Sequence, residues 1–158
     1  MSVDDSLEKI KVQQDNKKFV ESIESCDKIL ADNSELLSDI AIICDKKGFA
    51  LTSLGKPEEA LIYNNIAIAF NTQEGISFVN RAFTLGVLGR YNESMNDCED
   101  ALKLDPNYVK AWNNKGYCLH KLGKSEEGLK DVEKALELDP DDKDSLESKK
   151  EILEVLNS

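Results

Sequence analysis

The sequence predicts an all-α protein built from stacked helical hairpins. Apolar and small residues recur with a period of 34, each period holds two helix-length apolar patterns, and a glycine separates the two patterns. Trp112, Gly116, Leu119, Gly123, Ala135 and Pro140 stand 34 residues after Phe78, Ala82, Leu85, Gly89, Ala101 and Pro106, and the period before that holds Cys44, Gly48, Leu51, Gly55, Ala67 and Thr72. Such a period is typical of helix–turn–helix repeats, which bury a continuous core by stacking.

The elements of one period follow from local signals. Trp112 and Leu119 lie seven residues apart, on one face of a first helix. Gly123 ends that helix, and Ser125 is the predicted N-cap of a second one. Pro140 ends the second helix, because proline cannot continue the backbone hydrogen bonding.

Small residues occupy one fixed position in each predicted helix. They are Gly48, Ala82 and Gly116 in the first helices and Ala60, Ser94 and Gly128 in the second helices. Glycine inside a helix costs ~1 kcal/mol relative to alanine. We therefore expect the two backbones of each hairpin to approach closely at these positions.

The pattern from Ala41 to Pro140 resembles the tetratricopeptide repeat (TPR) family. The resemblance implies a right-handed α-solenoid of helix–turn–helix hairpins. The predicted organisation is a divergent N-terminal helical pair (1–38), three TPR units (39–72, 73–106 and 107–140) and a C-terminal capping helix (141–158), all in one domain. In the capping helix, Leu146, Ile152, Leu153 and Leu156 are predicted to form the apolar side.

Composition argues against some classes of function. The net charge of −11 argues against nucleic acid, whose phosphates require a basic surface. No apolar run reaches the ~20 residues that span a membrane. The N-terminus is acidic and polar, unlike a secretory signal, so the expected location is cytoplasmic.

The sequence offers no constellation for catalysis, a cofactor or a metal. His120 is the single histidine, and Cys118, two residues away on the same helix, would point about 200° from it. The aspartate cluster at 139–144 lacks the glycine and distal glutamate of a calcium loop, so it is interpreted as a solvated linker. We therefore predict a non-enzyme. Cys44, Cys98 and Cys118 fall at apolar positions of the repeat and are predicted to be buried free thiols.

A second set of positions, also 34 apart, is not explained by packing. The resemblance implies that this face of the first helices lines a concave groove that holds a peptide or helix of a partner protein. The predicted groove residues are Ile42, Asp45, Phe49, Ile76, Val79, Asn80, Phe83, Lys110, Asn113, Asn114, Tyr117 and His120. Its apolar row is Ile42, Phe49, Ile76, Val79 and Phe83, and its polar, slightly cationic end is on the last repeat.

The primary hypothesis is a scaffold or adaptor, and two alternatives remain open. One TPR subgroup grips the C-terminal carboxylates of heat-shock chaperones. Asn80 and Lys110 match that subgroup's residues, whereas Asp45, Phe49 and Asn114 replace an expected lysine, asparagine and cation. The other alternative is a self-assembly module. The sequence predicts a protein or peptide partner and does not define the oligomeric state.

Overall fold

The described part of the chain is α-helical. The computed structural model describes residues 3–15, 18–32, 37–71, 73 and 75–158, and these ranges contain no strand. The helices are α1 (Val3–Asp15), α2 (Phe19–Asp32), α3 (Leu37–Ser53), α4 (Pro57–Phe70), α5 (Gly75–Val87), α6 (Tyr91–Leu104), α7 (Val109–Lys121), α8 (Ser125–Leu138) and α9 (Lys143–Leu156). The predicted all-α class is confirmed.

The chain divides into two compact units, Met1–Gln73 (unit 1) and Glu74–Ser158 (unit 2). In unit 1, helices α1 to α4 each pack against the next, and α1 also contacts α3. In unit 2, helices α5 to α9 do the same, and α5 and α9 both contact α7. Each unit is therefore a stack of helical hairpins. The prediction that all segments form one domain stays a prediction.

The turn inside each of the three regular hairpins has the same construction. Gly55, Gly89 and Gly123 have φ values of 76°, 73° and 81°, a conformation that favours glycine. At the last of these turns, the N–H of Lys124 donates to the carbonyl of Leu119 at 2.9 Å, which satisfies an orphan carbonyl of α7. The recurring glycine thus ends each first helix and reverses the chain.

The predicted close approach of paired helices is confirmed. A Cβ atom added to Gly116 would lie 2.6 Å from the carbonyl oxygen of Gly128 and 2.7 Å from Cγ2 of Val132. In the preceding hairpin, Ala82 and Ser94 occupy the positions of Gly116 and Gly128, and Ser94 Oγ donates a hydrogen bond to the carbonyl of Ala82 at 2.7 Å. Glycine, alanine and serine are therefore needed because the two backbones leave no room for larger groups.

A cation–acceptor pair joins the two helices of each regular hairpin. Its cations are Lys47, Arg81 and Lys115, and its acceptors are Tyr63, Asp97 and Asp131, all 16 residues further on. The Arg81 guanidinium donates two 2.7 Å bonds to Asp97, Lys115 Nζ lies 3.4 Å from Asp131, and Lys47 Nζ donates to Tyr63 Oη at 2.9 Å. Lys47 also pairs with Asp27 of α2. Burial disfavours the charge of Lys47, but the bonds to Asp27 and Tyr63 raise its pKa overall.

The N-terminal hairpin (α1 and α2) has its own core within unit 1. Ile10, Cys26, Ile29 and Ile43 cluster there, all at most 6% exposed. Helix α3 has 17 residues against 13 in α5 and α7, and it begins at Leu37. The sequence also predicts an extra helical turn at 34–37 and an apolar stripe on α1 that includes Val3 and Leu7, but residues 33–36 and the side chains of Val3 and Leu7 lie outside the described part of the chain.

Two local predictions are wrong. Ser125 is the first residue of α8 rather than its N-cap, which is Lys124, and its hydroxyl contacts His120 instead of an amide. In α9, Leu146 is 48% and Leu156 40% exposed, because α9 packs through Ser145, Ser148 and Ile152. Small serine side chains let α9 approach the preceding hairpin, and the larger leucines lie beside that contact.

The cysteines of the chain are free and buried, as predicted. Burial raises the pKa of Cys26 from 9.0 to about 12 and that of Cys44 to about 11, and it also raises the pKa of Cys98 and of Cys118. These thiols therefore act as small apolar side chains. None of the described helices has the length and apolar character that crossing a membrane requires.

The buried thiols predict a loss of stability in alkali. Their pKa is raised in the folded state, so the thiols of the unfolded chain ionise first as the pH rises above 9.0. Each buried thiol then costs up to ~1.4 kcal/mol of stability per pH unit until its folded pKa is reached. Urea denaturation at pH about 8 and about 10 measures this loss. The Cys26→Ala variant should lose less stability over that interval, and an equal loss would contradict the assignment.

Candidate functional site

The candidate site lies on the neighbouring helices α5 and α7 of unit 2. Helix α5 contributes an apolar row and α7 a polar one. On α5, Ile76 is 45% and Phe83 36% exposed, seven residues apart on one face, with the half-buried Asn80 between them. Both side chains thus present apolar surface to solvent on one helix face, the kind of surface that marks an interaction site when it is contiguous.

Val79 does not belong to this exposed row. It is 3% exposed and lies in the core of unit 2 with Ala101 of α6 and Ala111 of α7. The expectation of an exposed Val79 is therefore wrong. The physical reason is its position on α5, where the side chain turns toward the next hairpin. The exposed part of the α5 row consists of Ile76 and Phe83.

Helix α7 supplies hydrogen-bonding groups and a positive charge. Lys110 is exposed, and Asn114 and Tyr117 are half-buried. Lys121 Nζ lies 4.9 Å from the centre of the Tyr117 ring, a cation–π geometry. Asn113 is 6% exposed, and its buried Oδ1 has no hydrogen-bond partner within the described residues. Lys110, Asn114 and Tyr117 are thus the accessible members of the α7 set.

His120 is used for packing at the end of α7. It is 9% exposed, its Nδ1 lies 3.0 Å from Ser125 Oγ of α8, and its Nε2 lies 3.7 Å from a carboxylate oxygen of Glu151 of α9. Glu151 also pairs with Lys121. These contacts tie three helices together. The arrangement accounts for His120 without a ligand.

The remaining predicted groove residues belong to unit 1. Ile42 is 36% exposed, and Asp45 is buried at 6%. Phe49 is half-buried, and its ring meets that of Phe19 of α2 edge to face, with centroids 6.0 Å apart. Phe49 thus packs within its own unit. A role for any of these residues in binding stays a prediction.

The site offers apolar contact and hydrogen bonding rather than metal chemistry. The described residues hold no group of three or more histidine, cysteine or acidic side chains that could bind a metal ion. Aspartates of the 139–144 segment act as local caps. The Asp139 carboxylate accepts from the N–H of Asp141, and Asp142 accepts from the N–H of Ser145 at the start of α9.

Comparison with known proteins identifies the repeat. Two family models, each described as tetratricopeptide repeat, match residues 77–108 and 109–142 respectively. A small glutamine-rich tetratricopeptide repeat-containing protein of Dictyostelium discoideum is 42% identical over 65 residues, which cover 41% of this chain and 20% of that protein. The match thus spans about a fifth of that relative's length.

Solved structures agree over a longer span. The second TPR domain of human RPAP3, in complex with the HSP70 peptide SGPTIEEVD, is 30% identical with a TM-score of 0.64 and covers 72% of this chain and 94% of its own. The chain belongs to the tetratricopeptide repeat family. The first TPR of Spaghetti (RPAP3), bound to the HSP90 peptide SRMEEVD, is 28% identical with a TM-score of 0.68, over 77% of this chain and 96% of that one. The predicted class, an all-α solenoid of TPR hairpins, is confirmed.

The TPR assignment explains which contacts sequence reasoning missed. The cation–acceptor pairs are themselves spaced by the repeat, because Lys47, Arg81 and Lys115 stand 34 residues apart. That spacing was a readable signal for a structural pair. Lys121 of α7 contacts Glu151 of α9, which lies 30 residues further on. This pair does not recur with the repeat, so the sequence contains no corresponding signal for it.

Proposed function

We propose that this TPR chain is a protein-interaction module that binds a segment of a partner protein on the α5–α7 face of unit 2. The observation that carries the proposal is the exposure of Ile76 and Phe83 on α5 beside the polar side chains of α7. TPR proteins are, in general, non-enzymatic scaffolds, which agrees with a binding role. The partner is a peptide or helix that presents both apolar and hydrogen-bonding groups.

The two rows play different parts in this proposal. Burying an apolar side chain of the partner against Ile76 or Phe83 contributes ~1.5–3 kcal/mol. Asn80 and Asn114 offer amide groups that can pair with a peptide backbone. Lys110, which is exposed on α7, favours an acidic group on the partner. The apolar contacts thus supply affinity, and the polar ones fix orientation.

A selection from a displayed peptide library tests the proposal. We expect peptides that bind the wild-type chain to lose at least about tenfold in affinity for the Ile76→Ala, Phe83→Ala variant, since two apolar anchors are truncated. Titration calorimetry measures the affinities. The matched control is Leu104→Ala, which truncates an exposed leucine of α6 away from the face.

Either of two outcomes would count against the α5–α7 face. In the first, the selected peptides bind the double variant as tightly as the wild type. In the second, the Leu104→Ala control loses affinity for the peptides and the double variant does not. Circular dichroism of each variant confirms that the helices are intact before the affinities are compared.

Recognition of an acidic chaperone tail is a second candidate. The RPAP3 domains that resemble this chain are bound to HSP70 and HSP90 peptides that end in EEVD. Asn80 and Lys110 match the carboxylate-binding set, and both lie on the α5–α7 face. Asn114 supplies no positive charge, and the buried Asp45 adds a negative one in unit 1. An isolated carboxylate without its cations is costly to desolvate.

The peptide SRMEEVD and its C-terminal amide separate the two candidates. If the chain grips a chaperone tail, the free acid binds, the amide binds at least about tenfold more weakly, and Lys110→Ala abolishes the difference. If neither form binds while library peptides do, the apolar candidate stands and the chaperone candidate is rejected. Lys124→Ala, at an exposed lysine between α7 and α8, is the charge-matched control.

A further inference from the structure

Helix α4 differs from its counterparts in a way that the repeat does not require. Between Ala60 and Phe70 it contains no charged residue. The equivalent stretch of α6 carries Asp97, Glu99, Asp100 and Lys103, and that of α8 carries Lys130, Asp131, Glu133, Lys134 and Glu137. In a chain with 32% charged residues, an uncharged stretch of this length on a solvent-facing helix is an exception.

The difference is concentrated on the outer surface of α4. Ile62, Ile66, Ala69 and Phe70 form what we call the α4 strip. Ile62 is 58% and Phe70 48% exposed, Ala69 is exposed and Ile66 is half-buried. The first three strip positions are Asn96, Asp100 and Lys103 in α6 and Lys130, Lys134 and Glu137 in α8, and five of these six side chains are exposed. The fourth position, Phe70, is Leu104 in α6 and Leu138 in α8, so the first three positions are the ones that are polar in two hairpins and apolar in one.

Packing inside the hairpin does not account for the strip. Helix α4 contacts α3, and its buried residues are Ala60, Asn64 and Ala67. The strip residues lie on another side: Ile62, Ile66 and Ala69 are spaced by four and three and share one face, and Phe70 lies at the edge of that face. Contiguous exposed apolar side chains of this kind mark an interaction surface.

We propose that the α4 strip pairs with the α4 strip of a second copy of this chain, with the two helices antiparallel. A two-fold axis brings identical patches together, so an uncharged apolar strip is complementary to itself. The charges around the strip favour this occupant over a basic partner. At the position where α6 and α8 carry Glu99 and Glu133, α4 carries Asn65.

The absence of a carboxylate at Asn65 distinguishes a second copy of this chain from a basic partner. A basic partner would require acidic groups beside the strip, whereas two copies of net charge −11 would repel each other through them. The remaining acidic residues of α4, Glu58 and Glu59, lie in its first turn. In an antiparallel pair they face the C-terminal end of the other helix, away from the corresponding glutamates.

The size of the strip sets the strength of the pair. Four side chains on one helix offer less than the ~800 Å² per partner of a standard stable interface. The dimer is therefore weak and dependent on protein concentration. Because the apolar contact works against repulsion between two acidic copies, added salt strengthens the dimer by screening that repulsion.

Sedimentation equilibrium of the full chain, from micromolar to millimolar concentration, tests the proposal. The average mass of the wild type should rise toward that of a dimer, and the dissociation constant should fall when salt is added. The Ile62→Gln, Ile66→Gln variant should dissociate at least about tenfold more readily, since two apolar side chains are lost without a change in net charge.

The matched control is Asn92→Gln, Asn96→Gln, which alters two exposed positions of α6, also without a charge change. It should associate like the wild type. A wild type that stays monomeric at every concentration and salt level overturns the proposal, and so does a strip variant that associates normally. Amide NMR shifts on dilution must change along α4; changes confined to α5 and α7 would place self-association on the other face and overturn it as well.

Discussion

Replacing Gly116 by alanine is expected to destabilise unit 2 by about 2–3 kcal/mol. The new Cβ would lie 2.6 Å from the carbonyl oxygen of Gly128 and 3.0 Å from the amide nitrogen of Val132. Both are backbone atoms of α8, so no side chain can rotate away and the two helices must separate. The gain of ~1 kcal/mol in helix propensity offsets only part of this cost. Urea denaturation followed by circular dichroism measures the change.

Gly86→Ala is the matched control for this substitution. Gly86 lies in α5, and its added Cβ would meet only Ser94 Oγ at 3.8 Å, an ordinary contact. The variant should be as stable as the wild type or gain up to ~1 kcal/mol from helix propensity. If both variants had the same stability, the close approach of α7 and α8 would not be the reason for the glycine at 116.

Asp97→Asn is expected to cost about 3 kcal/mol, in contrast to the equivalent substitution one hairpin later. Asp97 is 4% exposed and accepts two 2.7 Å hydrogen bonds from Arg81. The guanidinium of Arg81 remains charged when the carboxylate is removed, because an arginine side chain stays protonated at neutral pH whatever its partner. The substitution therefore removes the carboxylate that accepts two charge-assisted hydrogen bonds from a guanidinium whose side chain is 26% exposed. Denaturation at neutral pH measures the loss.

Asp131→Asn, 34 residues further on, should change stability by less than ~1 kcal/mol at neutral pH and can increase it. Burial raises the pKa of Asp131 above 3.8 even though Lys115 opposes the shift. A carboxyl group with a raised pKa stabilises the fold while protonated and loses that contribution as the pH rises through its folded pKa. The stability of the variant relative to the wild type should therefore increase as the pH rises from the acid range. Equal costs for the two substitutions would contradict this distinction.

Local patterns predicted the helical hairpins because a hairpin depends on residues close together in the chain. Gly123 predicted the turn between α7 and α8, and Gly116 predicted the close helix contact. The N-cap rule failed at Ser125, because a serine near a helix start caps the helix only when it occupies the N-cap position itself. Here its hydroxyl contacts His120, a partner that the N-cap rule does not consider.

The candidate site was predictable only as a set of positions. The 34-residue spacing placed Ile76, Val79 and Phe83 on one helix, but periodicity does not distinguish an exposed side chain from one that meets the next hairpin. Val79 is buried, whereas Ile76 and Phe83 are exposed. That difference depends on where α6 and α7 lie relative to α5.

By itself, the sequence determined the repeat, its turns and the small residues at helix contacts, because these follow from backbone geometry within one hairpin. Only the tertiary structure decided which charges pair between one hairpin and the next. Lys47 reaches back to Asp27 of α2, and Lys121 reaches forward to Glu151 of α9. Long charged side chains take whichever acceptor the neighbouring helix brings within reach, and the packing of helices sets that distance.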